Sequence, residues 1–185
     1  DVTIQAQILD LIKSIQKKLG MGVIIITHDL GVVAQICDEV DVMYAGRIVE
    51  RGTVDDVFYK PKHEYTKGLL NSMPGRDASK DKRLVSIEGN PVDVFALPKG
   101  CSFAPRCEKC MEYCLKRYPK ERQVGPQHYA SCFFEAVEEY KAGKLTKAAL
   151  ESYFLEGFEV DTNNLAKPKP KRHPFKAIAK LIKGK

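Results

Sequence analysis

Val23-Ile24-Ile25-Ile26 places four β-branched residues in a row, followed by Thr27-His28-Asp29. A strand with one wet face alternates apolar and polar residues. This one is apolar at every position, which predicts a strand buried on both faces, in a sheet sandwiched by helices. Its flanks agree. Val2 to Leu19 carries Ile4, Ile8, Leu11, Ile12 and Ile15 at helical spacing, and Lys17 and Lys18 fall in the last turn, where the helix dipole favours cations. Gly20 and Gly22 close that helix. After the strand, a helix is expected from about Leu30 to Ile36 and a second strand over Val40–Tyr44. A tight turn at Ala45-Gly46 leads to a third strand over Arg47–Glu50, ended by Gly52. Thr53 is placed to cap a short helix whose apolar face is Val54, Val57 and Phe58, and another helix is expected over His63–Ser72. The order predicts an α/β class and reads as the closing part of an α/β domain. Asp1 opens directly onto a helical pattern, so the segment reads as part of a longer chain.

Beyond Ser72 the pattern changes. Residues 74–84 are polar and charged, a linker, and Val85 to Pro98 reads as extended around Gly89 and Pro91. Five of the six cysteines, Cys101, Cys107, Cys110, Cys114 and Cys132, then fall within 32 residues. Four of them, Cys101, Cys107, Cys114 and Cys132, follow a C-x5-C-x6-C-x17-C spacing. Thiolates at this density suit a soft or borderline metal, either an iron–sulfur cluster or tetrahedral zinc. Cys107 and Cys110 also make the C-x2-C knuckle of many zinc sites, with His128 as a rival ligand. The alternative is a set of reduced, packed thiols. Cys37 stands apart on a helix and reads as a small buried apolar residue. A helical stretch is expected over Phe133–Phe154. No apolar run approaches the ~18 residues needed to cross a bilayer.

The formal net charge of +6 is not spread over the chain. Residues 167–185 hold eight Lys/Arg and no Asp/Glu, leaving 22 basic against 24 acidic residues elsewhere. A nearly neutral body argues against a nucleic-acid-binding surface. The tail ends with Phe175, Ile178, Leu181 and Ile182 on one helical face among lysines. It reads either as a segment lying on an anionic membrane surface or as a solvated tail.

His28 has two readings from position alone. Ligands of open α/β sheets bind beyond the carboxyl ends of the strands, where an imidazole can meet a phosphate or water. Equally, a histidine there can cap the next helix or satisfy a loop carbonyl.

Several stretches together carry a resemblance. Asp1-Val2-Thr3-Ile4-Gln5-Ala6-Gln7-Ile8-Leu9, then VIIITHDL, then Val42 to Gly52 (VMYAGRIVERG), resemble in order and spacing the ATPase subunits of ABC transporters. His63 to Pro74 (HEYTKGLLNSMP) resembles the element of the oligopeptide, dipeptide and nickel importers in that family, with Glu64 where a proline is usual. The resemblance implies the C-terminal part of a P-loop ABC-type ATPase domain (residues 1–73), a linker (74–98), a cysteine-rich module (99–135), a helical extension (136–166) and a basic tail (167–185). It implies that Asp1 lies in the loop crossing the dimer of ATPase subunits. It further implies that His28 contacts the γ-phosphate and attacking water of ATP, bound with Mg. In that family the pattern around Cys101, Cys107, Cys114 and Cys132 implies a [4Fe–4S] cluster that staples a small module, zinc being the alternative. The implied partners are a second ATPase subunit, transmembrane permease subunits and, indirectly, an extracytoplasmic peptide-binding protein, with no nucleic acid. The implied location is the cytoplasmic face of the cell membrane.

One departure bears on activity. No Gly-x4-Gly-Lys-[Ser/Thr] cradle is present: Gly143-Lys144 is followed by Leu145, and Glu138 holds the first glycine's place. The resemblance puts that cradle, the Mg-binding acid and the signature motif before Asp1. The rival reading is a non-catalytic, metal-stabilised interaction module. Neither the cargo nor the role of Cys110 is specified by these motifs.

Overall fold

The computed structural model describes residues 2–73 and 86–156. Asp1, residues 74–85 of the linker, residues 157–166 of the helical extension and the basic tail lie outside the described residues. Helix α1 spans Val2–Leu19 and α2 spans Leu30–Ile36. Strands β1 (Glu39–Tyr44) and β2 (Arg47–Thr53) follow, then α3 (Val54–Tyr59) and α4 (Glu64–Asn71). The cysteine-rich segment contributes a 3-10 turn at Ala104–Arg106, helix α5 (Glu112–Lys116) and the short strands β3 (Arg122–Gly125) and β4 (His128–Ala130). Helices α6 (Phe133–Lys141) and α7 (Lys147–Glu156) complete the order.

The four strands form one antiparallel sheet in the order β1-β2-β4-β3. Ala45 and Gly46 both take positive φ, 50° and 76°, as a two-residue hairpin turn between right-twisted strands requires. Thr53 caps α3 by accepting from the Asp56 N–H at 3.1 Å. Strand β4 pairs Ala130 with Glu50 and Tyr129 with Arg51, so the hairpin and the cysteine-rich segment share a sheet. They also share a core. Val42, Tyr44, Val49 and Val57 from the hairpin side belong to one buried cluster with Phe103, Phe133, Ala136, Val137, Leu150, Tyr153 and Phe154.

Two expectations need correcting. The stretch Val23–Ile26 is not a strand: Ile24 and Ile26 are 93% and 96% exposed, and no described strand lies beside it. A strand buried on both faces takes its hydrogen bonds and its cover from neighbours, and the described residues supply neither. The helical stretch after Cys132 is also two helices. Gly143 adopts φ +73°, its N–H meets Tyr140 O at 3.0 Å, and Lys144 N–H meets Glu139 O at 2.9 Å, which ends α6. Thr146 Oγ1 then accepts from Ala149 N–H to start α7.

Candidate functional site

The loop before α2 resolves what Thr27-His28-Asp29 does locally. Thr27 Oγ1 accepts from the Asp29 N–H at 3.0 Å, and Asp29 Oδ1 accepts from the Gly31 and Val32 N–H groups at 2.8 and 3.3 Å. These backbone hydrogen bonds hold the Asp29 carboxyl below its usual range. The cap is therefore built by Thr27 and Asp29. His28 between them takes no part in it and its side chain is exposed.

The second candidate is a cavity of about 20 Å³. Cys101, Cys107, Cys114 and Cys132 all border it, together with His63, Glu64 and Phe103; Cys110 and His128 do not. Sequence segments 31 residues apart thus bring their thiols to one void, because Cys101 N–H pairs with Cys114 O at 2.8 Å and Cys132 leads into α6. Burial pushes the thiols up, Cys101 to about 11 and Cys132 to about 12, with Cys107 above them both. Cys110 and Cys114 share a hydrogen bond that lowers Cys110 and, with burial, raises Cys114. Among the described residues, no three His, Cys, Asp or Glu side chains close around one point tightly enough to hold a single metal ion.

A buried polar network lies behind this cavity. Glu50 on β2 accepts from the Lys62 N–H at 2.7 Å and the His63 N–H at 2.8 Å, and His128 Nε2 lies 2.7 Å from its Oε1. Three donors converge on one fully buried carboxylate. Gly52 permits this: a Cβ there would sit 3.1 Å from both His128 Cδ2 and Gln127 O. The His63 ring is also fully buried and is pushed down to about 4, chiefly by burial, so it stays neutral. Its Nδ1 accepts from the Tyr65 N–H at 3.1 Å, capping α4. Helix α4 is further tied to α6 by charge. Lys62 Nζ lies 2.8 Å from Glu135 and 3.9 Å from Glu139, Lys67 bridges Glu64 and Glu135, and Arg122 holds Glu139 at 2.6 Å. A periodicity signal exists only for Glu50, which interrupts an otherwise apolar face of β2. His63 and His128 read from sequence as turn and loop residues.

Residues 49–114 match the family described as oligopeptide/dipeptide transporter, C-terminal region. The chain is 51% identical over 135 residues to the dipeptide transport ATP-binding protein DppD of Bacillus subtilis, a match covering 73% of this chain and 40% of that protein. It is 52% identical over 129 residues to the oligopeptide transport ATP-binding protein OppD of the same organism, covering 70% of this chain and 36% of that one. With OppD of Salmonella typhimurium the identity is 49% over 139 residues, covering 75% and 41%. The chain spans about two fifths of the length of these relatives.

Proposed function

We propose, from this chain's kinship with the ATP-binding subunits of oligopeptide and dipeptide ABC importers, that it is the C-terminal part of a subunit hydrolysing ATP to drive peptide import. The observation that carries the reading is the roughly 50% identity over most of the chain. The exposed His28, free of the helix cap that its neighbours build, supports it. In the proposed mechanism His28 hydrogen-bonds the γ-phosphate and the attacking water, stabilising charge that develops as the phosphoryl group transfers. Asp1 lies in the loop toward the second ATPase subunit. The transmembrane permeases are the other direct partners and a peptide-binding protein an indirect one, which sets the subunit against the cytoplasmic face of the membrane. Among the described residues no helix is long and apolar enough to cross a membrane.

The same reading gives Cys101, Cys107, Cys114 and Cys132 the role of ligands to a [4Fe–4S] cluster. Four soft thiols, the donor type such a cluster takes, border one void, and the fifth cysteine, Cys110, stands outside its lining, hydrogen-bonded to Cys114. The void has room for about one water, so the thiol-bearing loops must part to load the cluster. When bound, the cluster cross-links four points of a segment with little core of its own.

Two experiments test these proposals. In the full-length subunit, His28→Ala is expected to cut ATP hydrolysis at least about tenfold while leaving ATP binding nearly intact, because the interaction is made chiefly in the transition state. Unchanged turnover would return His28 to the status of a loop residue. Anaerobically prepared protein is expected to be brown with about four irons per chain, retained by Cys110→Ser and lost by Cys114→Ser. A colourless protein with one zinc would overturn the cluster.

A further inference from the structure

Three walls meet at the thiol cavity, and one carboxylate holds two of them. The start of α4 contributes His63 and Glu64, the segment through α5 contributes Cys101, Cys107 and Cys114, and the entry to α6 contributes Cys132. Glu50 is 1% exposed. It accepts from the Lys62 and His63 N–H groups at the first wall, at 2.7 and 2.8 Å. Its Oε1 also lies 2.7 Å from His128 Nε2, on the strand that leads into Cys132. The same two walls are tied again by Lys62 Nζ, 2.8 Å from Glu135 in the first turn of α6. The third wall is fastened separately. Cys101 N–H pairs with Cys114 O at 2.8 Å, and the Arg106 guanidinium donates to Ile87 O and Glu88 O at 2.9 and 3.1 Å.

We propose that Glu50 is the latch of the thiol pocket. The pocket opens when β4 and Cys132 part from β2 and the start of α4, while the Cys101–Cys114 pairing stays closed. Backbone support for that joint is slight: β4 has three residues, and Ser131 N–H to Val49 O, at 2.9 Å, is its last bond to β2 before Cys132. Hydrogen bonds to an ionised carboxylate are about twice as strong as neutral ones, so the joint's strength sits in Glu50. Cys101, Cys114 and Cys132 are buried and Cys107 is half-buried, so a soft metal ion or a thiol reagent reaches them only through such an opening. The latch depends on the chain's own contacts and not on what the thiols hold.

The test is maleimide labelling of the full chain at fixed pH after treatment with a chelator, with the modified cysteines identified by peptide mass spectrometry. Glu50→Gln, whichever way its amide turns, sets an N–H against the Lys62 or the His63 N–H. His128→Leu removes the donor on β4 and leaves the carboxylate its two backbone partners. Both should speed labelling of Cys132 at least about tenfold and leave Cys37 near its parent rate. The faster rate should stay flat in low urea, as a local opening requires. Arg106→Ala should speed labelling of Cys107 and leave Cys132 near its parent rate. Cys132 unmoved in His128→Leu, or sped as much by Arg106→Ala, would overturn the latch and make the Cys101–Cys114 loop the way in. A Cys132 rate climbing steeply with urea would overturn it too, since the thiol would then be reached by global unfolding. The parent chain gives a check that needs no variant. Its Lys62 and His63 amides should exchange with deuterium before the Cys101 amide, and the reverse order would sink the proposal.

Discussion

A methyl group at Gly100 would sit 2.0 Å from the Cys114 carbonyl oxygen and 2.7–2.8 Å from the neighbouring carbonyl carbons. All three atoms are backbone, so no side-chain rotation relieves the clash; the Cys101–Cys114 pairing itself must open. Gly100→Ala is therefore expected to destabilise the chain by at least about 2 kcal/mol, read from urea unfolding by far-ultraviolet circular dichroism. Gly68→Ala is a useful contrast, since its Cβ would meet only the flexible end of Ile87. His63 adds a pH dependence whose sign follows from burial. Folded, its imidazole titrates near 4, against 6.5 unperturbed, with Glu50 opposing the shift and Lys67 adding to it. The unfolded chain thus binds the extra proton first as pH falls. Its stabilising contribution is complete above about pH 6.5 and is lost between there and pH 4, at up to about 1.4 kcal/mol per pH unit. The melting temperature of the metal-free chain should fall more steeply from pH 7 to pH 5 than that of His63→Asn. Equal slopes would mean that the ring is more hydrated than the structure has it.

At the scale of elements, two of the side-chain contacts between β2 and the segment around β4 should differ sharply in weight. Arg51 forms a two-pronged ion pair with Glu121 at 2.8 Å, but both side chains are more than a third exposed. Arg51→Ala is expected to cost no more than about 1 kcal/mol. Glu50→Ala strands the Lys62 and His63 N–H groups and the His128 ring in a dry interior, and should cost about 3 kcal/mol or more. Denaturant midpoints of the two variants decide the order. Much of the element structure was legible in the sequence because its signals are local. Helix α1, the Ala45-Gly46 turn and the Thr53 cap each depend on residues within a few positions of one another. The Glu50 network was not legible, because its partners lie 13 and 78 residues away in chain order. Nor was the break at Gly143, where helical composition on either side masks a single glycine. The grouping of Cys101, Cys107, Cys114 and Cys132 was readable from spacing, whereas the histidine beside them was readable only from the fold.

Across the whole molecule, the least covered apolar surface is α1 and the stretch after it. Ile4, Ile8, Leu11, Ile15 and Leu19 form an exposed stripe, continued by Met21, Val23, Ile24 and Ile26. Sequence alone placed Ile4, Ile8, Leu11 and Ile15 at helical spacing and read Val23–Ile26 as buried; what would cover them is not in their own pattern, and they stand exposed among the described residues. The chain on its own is expected to self-associate as concentration rises, and Ile24→Asp with Ile26→Asp should reduce this without moving the melting of the segment around β4. Analytical ultracentrifugation of the two proteins decides it. The union of β2 with β4 has a different consequence, one of timing. During synthesis the hairpin leaves the ribosome early, but Glu50 waits for His128, 78 residues behind it. At about 5–20 residues per second, that wait is roughly 4–16 seconds. Cys132 emerges after His128, so throughout that interval a nascent chain offers at most three of its four proposed cluster ligands. On the proposed cluster reading, iron delivered before then would meet an incomplete set, and insertion would follow the folding of this region rather than seed it.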